Sequence, residues 1–384
     1  MRIAYCFHSL FHHGGVEKIL TTKANYLVQN FEFEVFIITY NQGDNPIFFE
    51  LDKRIKLIDI EVGEFTHQNS NFIRNRIAYQ EYKKKFKNKL ANVLKEIKPD
   101  YSISLGGAEF YILNSIQDDG SIKLAEYHVT IGAFESINEY LKGFQKLKAK
   151  ISFQKFIKNI RKYNKFIVLT KGDENEWSRF SKNVITIPNP QTFKINQKGL
   201  TLPREKLAVA VGRFEPEKQL DQLILIWKRV VDKYPDWKLI LKGSGSQRDY
   251  YQKLIDDNNL KSNVLLEQPG VEMDAFYRNA SMYLMASKFE GFSLVILEAM
   301  QSGLPVVAYN CKYGPSELIS DEENGFLVPL NHSEDFLGKI FKLIEDEELR
   351  RTMSVKAIEN AKKYEIEKVM DIWKNLFEKL HNDK

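Results

Sequence analysis

Two glutamates eight positions apart, Glu290 and Glu298, bracket the stretch Glu290-Gly291-Phe292-Ser293-Leu294-Val295-Ile296-Leu297-Glu298. Glu290 and Gly291 read as the end of a loop, and Ser293 as the N-cap of the apolar helix that follows. Side chains on a helix lean toward its N-terminus, so Glu298, about one turn in, can reach back toward the loop. Carboxylates so placed can accept hydroxyls from opposite parts of one ligand, while the free amides of 292–295 face its phosphates. The plainer account is a capped helix with one buried glutamate, and a carboxylate amid Leu297, Ala299 and Met300 then needs a partner.

Three more places carry chemistry. In Gly212-Arg213-Phe214-Glu215-Pro216-Glu217-Lys218 the guanidinium is a planar fork and the ammonium a point charge, a pair suited to two linked phosphates; as a solvated surface pair they would need no ligand. In His12-His13-Gly14-Gly15-Val16-Glu17 the paired glycines let the backbone approach a phosphate or a sugar closely, or simply make a tight turn. His128, in Ala125-Glu126-Tyr127-His128-Val129, ends an apolar run, where it is either a hydrogen-bonded core histidine or a polar group at the ligand end of a strand.

The elements that must position these residues alternate in period. Strand-like runs near 2–7, 33–39, 55–60, 100–105, 122–127, 164–169 and 184–187 are interleaved with helical patterns near 16–30, 73–97, 143–161 and 171–180, the α/β pattern. A second series starts near 206–211 and continues at 237–242, 263–266, 281–285, 305–308 and 325–328, each run followed by a helical pattern, and the chain ends in charged helical pattern from 347 to 382. The chain length suits two domains, 1–190 and 204–363, joined by a proline-marked linker at 191–203 and followed by a C-terminal helix at 364–384. In such doubly wound sheets ligands bind beyond the carboxyl ends of the strands, and all four places lie there.

With 43% hydrophobic and 28% charged residues the chain is of globular composition. Cys6 and Cys311 are the only cysteines, both in or beside apolar runs, which argues against a disulfide framework. The start is too short in apolar residues for a signal peptide and no stretch is long enough for a membrane span, so a cytoplasmic protein is expected. Residues 1–195 carry 29 basic against 21 acidic residues, and the remainder 27 against 30, so the N-terminal half is the one to meet an anionic surface.

Glu290-x7-Glu298, with Gly212-Arg213-x4-Lys218 upstream and Gly303-Leu304-Pro305-Val306-Val307 and Asn324-Gly325-Phe326-Leu327-Val328 downstream, resembles family four of the retaining GT-B glycosyltransferases, the group 1 enzymes of bacterial surface-glycan biosynthesis. The resemblance implies two Rossmann-like, doubly wound parallel-sheet domains facing across a cleft, with the C-terminal helix crossing back to the first. It implies a hexosyltransferase moving a hexose or N-acetylhexosamine from a UDP-sugar to a glycan or lipid-linked acceptor, with retention and with no cofactor or metal. Carried over position by position, Arg213 and Lys218 bind the donor diphosphate, Glu290 contacts the donor sugar and Glu298 holds the ribose. Gly291 and the amides of Phe292, Ser293 and Leu294 complete these contacts, Gly14 and Gly15 approach the diphosphate, and Gly243 and Gly245 match a glycine-rich turn beside the nucleotide. His128 matches a histidine near the reacting sugar, with a positioning and electrostatic role; His128 and Glu290 are thus the catalytic candidates. Two departures stand out: Val129 replaces a frequent acidic residue, and Gln219 replaces the glycine common after the lysine. A GT-B-like sugar-nucleotide epimerase and a non-catalytic nucleotide-sugar-binding scaffold are the alternatives.

Between Leu141 and Tyr163 there are eight basic residues, among them Lys142, Lys146, Lys148, Lys150, Lys155 and Lys158, and no acidic one, interleaved with Phe144, Leu147, Ile151, Phe153, Phe156, Ile157 and Ile160. That composition suits a helix lying on an anionic membrane or polyanionic acceptor, or else one whose lysines are simply solvated. A peripheral position on the inner face of the membrane is expected on the first reading. No nucleic-acid-binding module is recognisable.

Overall fold

Apolar runs bounded by turn residues become strands buried on both faces, the hallmark of parallel sheets under helices. In the computed structural model, which describes residues 1–66, 72–193, 204–270 and 273–383 (72, 73 and 137–140 by backbone only), two such sheets form. Most of the expected linker, from residue 194 on, lies outside the described residues.

The first unit comprises Met1–His128, Ile137–Pro188 and Val369–Lys384. Its strands are β1 (Arg2–Phe7), β2 (Glu34–Thr39), β3 (Lys56–Asp59), β4 (Tyr101–Ser104), β5 (Ile122–Glu126), β6 (Lys165–Val168) and β7 (Val184–Thr186), ordered β3-β2-β1-β4-β5-β6-β7 and parallel throughout. Between them run α1 (Gly15–Asn30), α2 (Phe72–Ile97), α3 (Phe110–Leu113), α4 (Ile131–Tyr140), α5 (Gly143–Ile160) and α6 (Lys171–Ser178). The order reverses at β1 and β4, a topological switch point of the kind where such sheets bind ligands. Phe110, Phe156, Phe166 and Trp177 form an aromatic core beside β5 and β6, each worth about 1.5–3 kcal/mol in burial.

The second unit comprises Val129–Ser136 and Asn189–Lys368. Its strands β8 (Leu207–Val211), β9 (Lys238–Lys242), β10 (Val264–Glu267), β11 (Met282–Met285), β12 (Val306–Tyr309) and β13 (Gly325–Val328) are ordered β10-β9-β8-β11-β12-β13. They alternate with α7 (Leu220–Lys233), α8 (Arg248–Asp257), α9 (Met273–Asn279), α10 (Leu294–Gln301), α11 (Gly314–Leu318), α12 (Ser333–Glu345) and α13 (Glu347–Ala361). α7 buries Leu220, Leu223, Ile224, Trp227 and Val230, the one-sided spacing of an amphipathic helix on a sheet.

One feature departs from the sequence reading. The first unit is not continuous, because the start of α4 packs with the second: Glu135 pairs with Lys312 Nζ at 2.9 Å, and a Cβ on Gly132 would stand 3.2 Å from Lys312 Cβ. In the helical pattern at 347–382 the C-terminal helix expected from 364 begins at 366 as α14 (Ile366–Asn382), after α13, a 3-10 turn at Lys362–Tyr364 and Glu365. α14 buries Val369, Met370, Trp373 and Phe377 in one stripe, and from Val369 it belongs to the first unit, where the Tyr101 hydroxyl donates to the Phe377 carbonyl.

Candidate functional site

In the second unit the loops after β8, β9 and β11 bring the predicted donor residues together. After β8 the chain enters a short 3-10 turn at Pro216–Lys218, which turns Lys218 toward the β11 loop: its ammonium donates to Glu290 Oε1 at 2.6 Å. Glu290 Oε1 also accepts from Ser287 Oγ at 2.7 Å, and the Glu290 backbone bridges to Tyr313. That oxygen is thus held by two donors, and only 11% of the Glu290 side chain is exposed. Arg213 differs: it is 71% exposed and spends its guanidinium on Glu217, 2.7 Å away. Such an exposed pair is worth about 0–1 kcal/mol and yields readily to a more highly charged partner.

Gln219, the departure noted in the sequence, has φ +48°, a left-handed position at the start of α7. That backbone favours glycine; here a buried glutamine takes it, and Nε2 donates to Asn331 Oδ1 at 3.3 Å. Gly243 is required by packing: a Cβ there would fall 1.9 Å from the Gly212 carbonyl oxygen, so no larger residue lets the β8 and β9 loops meet. The two loops are further laced by Phe214 N–H to the Ser244 carbonyl at 2.8 Å.

Ser293 occupies the N-cap position of α10 but does not cap it in the expected way. Its backbone is left-handed (φ +62°), which directs the side chain away from the first turn, so Oγ makes no cap bond and is buried without a hydrogen-bond partner. The Ile296 and Leu297 amides are taken by the Ser293 carbonyl, at 2.9 and 3.3 Å. Leu294 and Val295 are the first residues of the helix, where no intrahelical carbonyl reaches an amide. Glu298 is 4% exposed and finds the partners a buried carboxylate needs: Thr192 Oγ1 donates to Oε1 at 3.0 Å and the Tyr277 hydroxyl to Oε2 at 3.1 Å. Burial and the nearby Glu298 raise the Tyr277 phenol well above its ordinary value, keeping it a donor.

In the first unit, α1 begins at Gly15 with Gly14 extended at its N-cap. A Cβ on Gly14 would lie 2.2 Å from Glu17 Oε2, so the close approach this glycine permits is made by the Glu17 carboxylate, whose pKa burial raises. His128 follows β5 and is nearly buried, its Nε2 3.3 Å from Glu126 Oε1, at ion-pair range but without hydrogen-bond geometry. Behind it lies a group that sequence reasoning missed. Lys23, 1% exposed in the middle of α1, donates to Glu126 Oε2 at 2.5 Å, and its ammonium sits 3.9 Å from the centroid of the Trp373 ring. Burial alone would raise the Glu126 carboxyl, but Lys23 and His128 outweigh it and hold the pKa down at about 2. The signal was available: Lys23 falls on the apolar face Ile19, Leu20, Ala24, Leu27, and Glu126 ends an otherwise apolar strand.

α5 divides along its length. Phe156, Ile157 and Ile160 enter the core, whereas Phe144, Leu147 and Ile151 are 69%, 53% and 49% exposed, one stripe flanked by the exposed Lys142, Lys146, Lys148, Lys150, Lys155 and Lys158. Among the described residues no helix is long and apolar enough to cross a membrane, and no three His, Cys, Asp or Glu side chains stand together as a metal site.

Residues 191–363 match the model of the family described as glycosyl transferases group 1, and the matched span contains Arg213, Lys218, Glu290 and Glu298. The chain is an enzyme that transfers glycosyl groups, and its second unit carries the group 1 match. It is 28% identical over 380 residues to an uncharacterized glycosyltransferase of Haemophilus influenzae, covering 94% of this chain and 96% of the relative. It is 31% identical over 312 residues to a poly(ribitol-phosphate) alpha-N-acetylglucosaminyltransferase of Staphylococcus aureus, covering 77% of this chain and 60% of that one. In structure it resembles S. aureus TarM, solved as a mutant with Fondaparinux, alpha-GlcNAc-glycerol and UDP, at a TM-score of 0.80 with 20% identity over 98% of this chain and 99% of that one, a likeness of fold. The expected GT-B architecture of two parallel-sheet, Rossmann-like units is the one this glycosyltransferase has.

Proposed function

We propose that this glycosyltransferase transfers a hexose or N-acetylhexosamine from a UDP-sugar to a bacterial surface glycan, with retention of anomeric configuration and without a metal. The observation that carries the reading is the Lys218–Glu290 pair set beside the N-terminal end of α10, with Glu298 held one turn further in. A diphosphate at this end of α10 meets the partial positive charge of the helix and the ammonium of Lys218, and Arg213 exchanges its exposed carboxylate for phosphate oxygens. Glu290, released from Lys218 as the phosphate takes its place, is free to accept sugar hydroxyls. Glu298 accepts the ribose hydroxyls in exchange for one of its present donors.

In the transfer the bond between the anomeric carbon and the diphosphate oxygen breaks, the acceptor hydroxyl forms the new bond on the same face, and its proton leaves with the diphosphate. Charge developing on that leaving group is what Lys218, Arg213 and the helix end stabilise, and prearranged charges of this kind are the largest ordinary source of rate. His128, beside a carboxylate that Lys23 keeps ionised, supplies electrostatic positioning; its assignment to the reacting sugar, like that of Gly14 and Gly15 to the diphosphate, rests on the family resemblance. Surface-glycan synthesis is supported by the relatives, among them the poly(ribitol-phosphate) enzyme. Docking on an anionic membrane is supported by the exposed stripe of α5 with its lysines.

Calorimetry with UDP tests the donor site. Binding should survive a chelator, and Arg213→Ala or Lys218→Ala should each cost about 1.5–3 kcal/mol, the worth of charged hydrogen bonds. Loss of binding in the chelator overturns the metal-free claim, and unchanged affinity in both variants removes these residues from the site.

A further inference from the structure

The first unit contains a recess that the donor chemistry leaves unused. Its volume is about 420 Å3, within the roughly 300–1,000 Å3 of small-ligand sites. It opens where β2 and β4 end, since Tyr40 follows the one and Gly107 and Ala108 follow the other. One wall is α2, which supplies Tyr79, Tyr82 and Lys83 at the three- and four-residue spacing that places side chains together on a helix. Glu64, Phe65, Tyr111 and Ile112 complete the lining.

The aromatic rings are arranged to receive something flat. Tyr79 and Tyr82 lie nearly parallel, 16° apart with centroids at 6.4 Å, and Phe65 meets both at steep angles, 5.1 and 5.5 Å away. Tyr79 and Tyr111 are 40% and 45% exposed, so core packing does not account for them. The rim is polar and balanced in charge: Lys83 Nζ is 5.1 Å from the Tyr79 ring centroid, and the Glu64 carboxylate is held by His8 Nε2 at 2.7 Å.

The floor is fixed in advance. Buried Glu109 accepts from Ser104 Oγ and the Gly107 amide, both at 2.9 Å, and from the Leu105 amide at 3.2 Å, while the Tyr40 hydroxyl accepts from the Ala108 amide at 3.2 Å. Two glycines are needed in this loop. Gly106 has φ +94°, and a Cβ there would stand 3.0 Å from the ring of Tyr127, the residue before His128; at Gly107 a Cβ would strike Glu109 Oε2 at 2.4 Å and the Tyr40 hydroxyl at 2.7 Å. The recess floor therefore rests on the segment that carries His128.

We propose that this recess binds one pyranose ring of the glycan acceptor, a reading that rests on the glycosyltransferase function proposed above. A pyranose offers a C–H face to an aromatic ring and hydroxyls at its edge to polar tips; the Tyr79 and Tyr82 rings present the first, and Lys83 and Glu64 the second. An aliphatic tail would call for an aliphatic lining, and a phosphate for excess positive charge; the rim has one cation and one anion. Lys83 is the one basic side chain among the described residues that line the recess, and the aromatic face selects the sugar.

Saturation-transfer NMR on the whole protein, with UDP present at saturation, tests this using the methyl glycosides of glucose, galactose and N-acetylglucosamine. At least one should bind the parent with UDP in place. Tyr79→Ala and Tyr111→Ala should each weaken it at least tenfold, about 1.4 kcal/mol, while Tyr79→Phe, which keeps the ring, should bind as the parent does. Lys83→Met serves as an independent variant should an alanine substitution lower the melting temperature, and it too should weaken the glycoside. Absence of binding to the parent, or equal binding by the parent and all of the Ala and Met variants, overturns the proposal. Calorimetry with UDP on the same samples separates the two readings: UDP binding without glycoside binding sinks the recess alone, and glycoside binding without UDP binding sinks the donor assignment alone.

Discussion

Replacing Lys23 with methionine should loosen the first unit and displace His128 without touching any ligand. Lys23 and Glu126 are 1% and 2% exposed in their side chains and 2.5 Å apart, so removing the cation strands a buried carboxylate. Breaking one side of such a pair costs about 3–5 kcal/mol, whereas replacing both partners with groups of similar shape is near neutral. The same conclusion follows from protonation. Glu126 is held at about 2 in the fold, against an ordinary value near 4.3. A carboxyl depressed in this way contributes stability that is present above the unfolded pKa and lost as pH falls from about 4.3 through about 2, partly offset by burial, which lowers the Lys23 pKa.

Because the chain has two units, one unfolding free energy does not describe it, and hydrogen exchange of peptides from α1 and β5 is the suitable assay. In Lys23→Met these amides should exchange by openings several kcal/mol cheaper, and the acid unfolding of this unit should begin at higher pH, because Glu126 without its cation takes up a proton sooner. Lys23→Met with Glu126→Gln should recover most of the protection, yet transfer should stay impaired, since His128 still lacks its anion. A single variant protected to within 1 kcal/mol of the parent, or a double variant no better protected than the single, would refute the reasoning.

Glu290→Gln should impair turnover far more than UDP affinity, while Glu298→Gln should weaken UDP itself; calorimetry that finds equal weakening ends this division of roles. Changing Lys146, Lys148, Lys155 and Lys158 to Gln should lower partitioning onto anionic vesicles by orders of magnitude at low salt, at about 1 kcal/mol per basic residue. Sedimentation equal to the parent's would leave α5 an ordinary solvated helix.

Much of the architecture was legible in the chain because strand and helix periods are local. The run Leu207–Val211 and the stripe Leu220, Leu223, Ile224, Trp227 announce β8 and α7 from side-chain pattern alone, and right-handed crossovers follow from their alternation. The order of Arg213, Lys218, Glu290 and Glu298 was likewise readable, since strand-end loops must carry the ligand chemistry of a doubly wound sheet. The C-terminal helix was placed from 364, two residues from the start of α14, but the 3-10 turn that precedes it was not, because the apolar stripe continues across it.

What only tertiary structure decided is which polar group faces which. Lys218 and Glu290 are 72 residues apart, Lys23 and Glu126 are 103 apart, and Thr192 reaches Glu298 across 106. Each pairing depends on where the sheet order sets two loops or a helix and a strand end side by side. The left-handed Ser293 belongs to the same class: its sequence context favours a cap, but its backbone is left-handed in a loop that is tied to Tyr313 through Glu290. Local sequence determines which elements form and which chemistry is available; the packing of distant segments determines which charges are neutralised, since a buried charge needs a partner and its partner comes from another part of the chain.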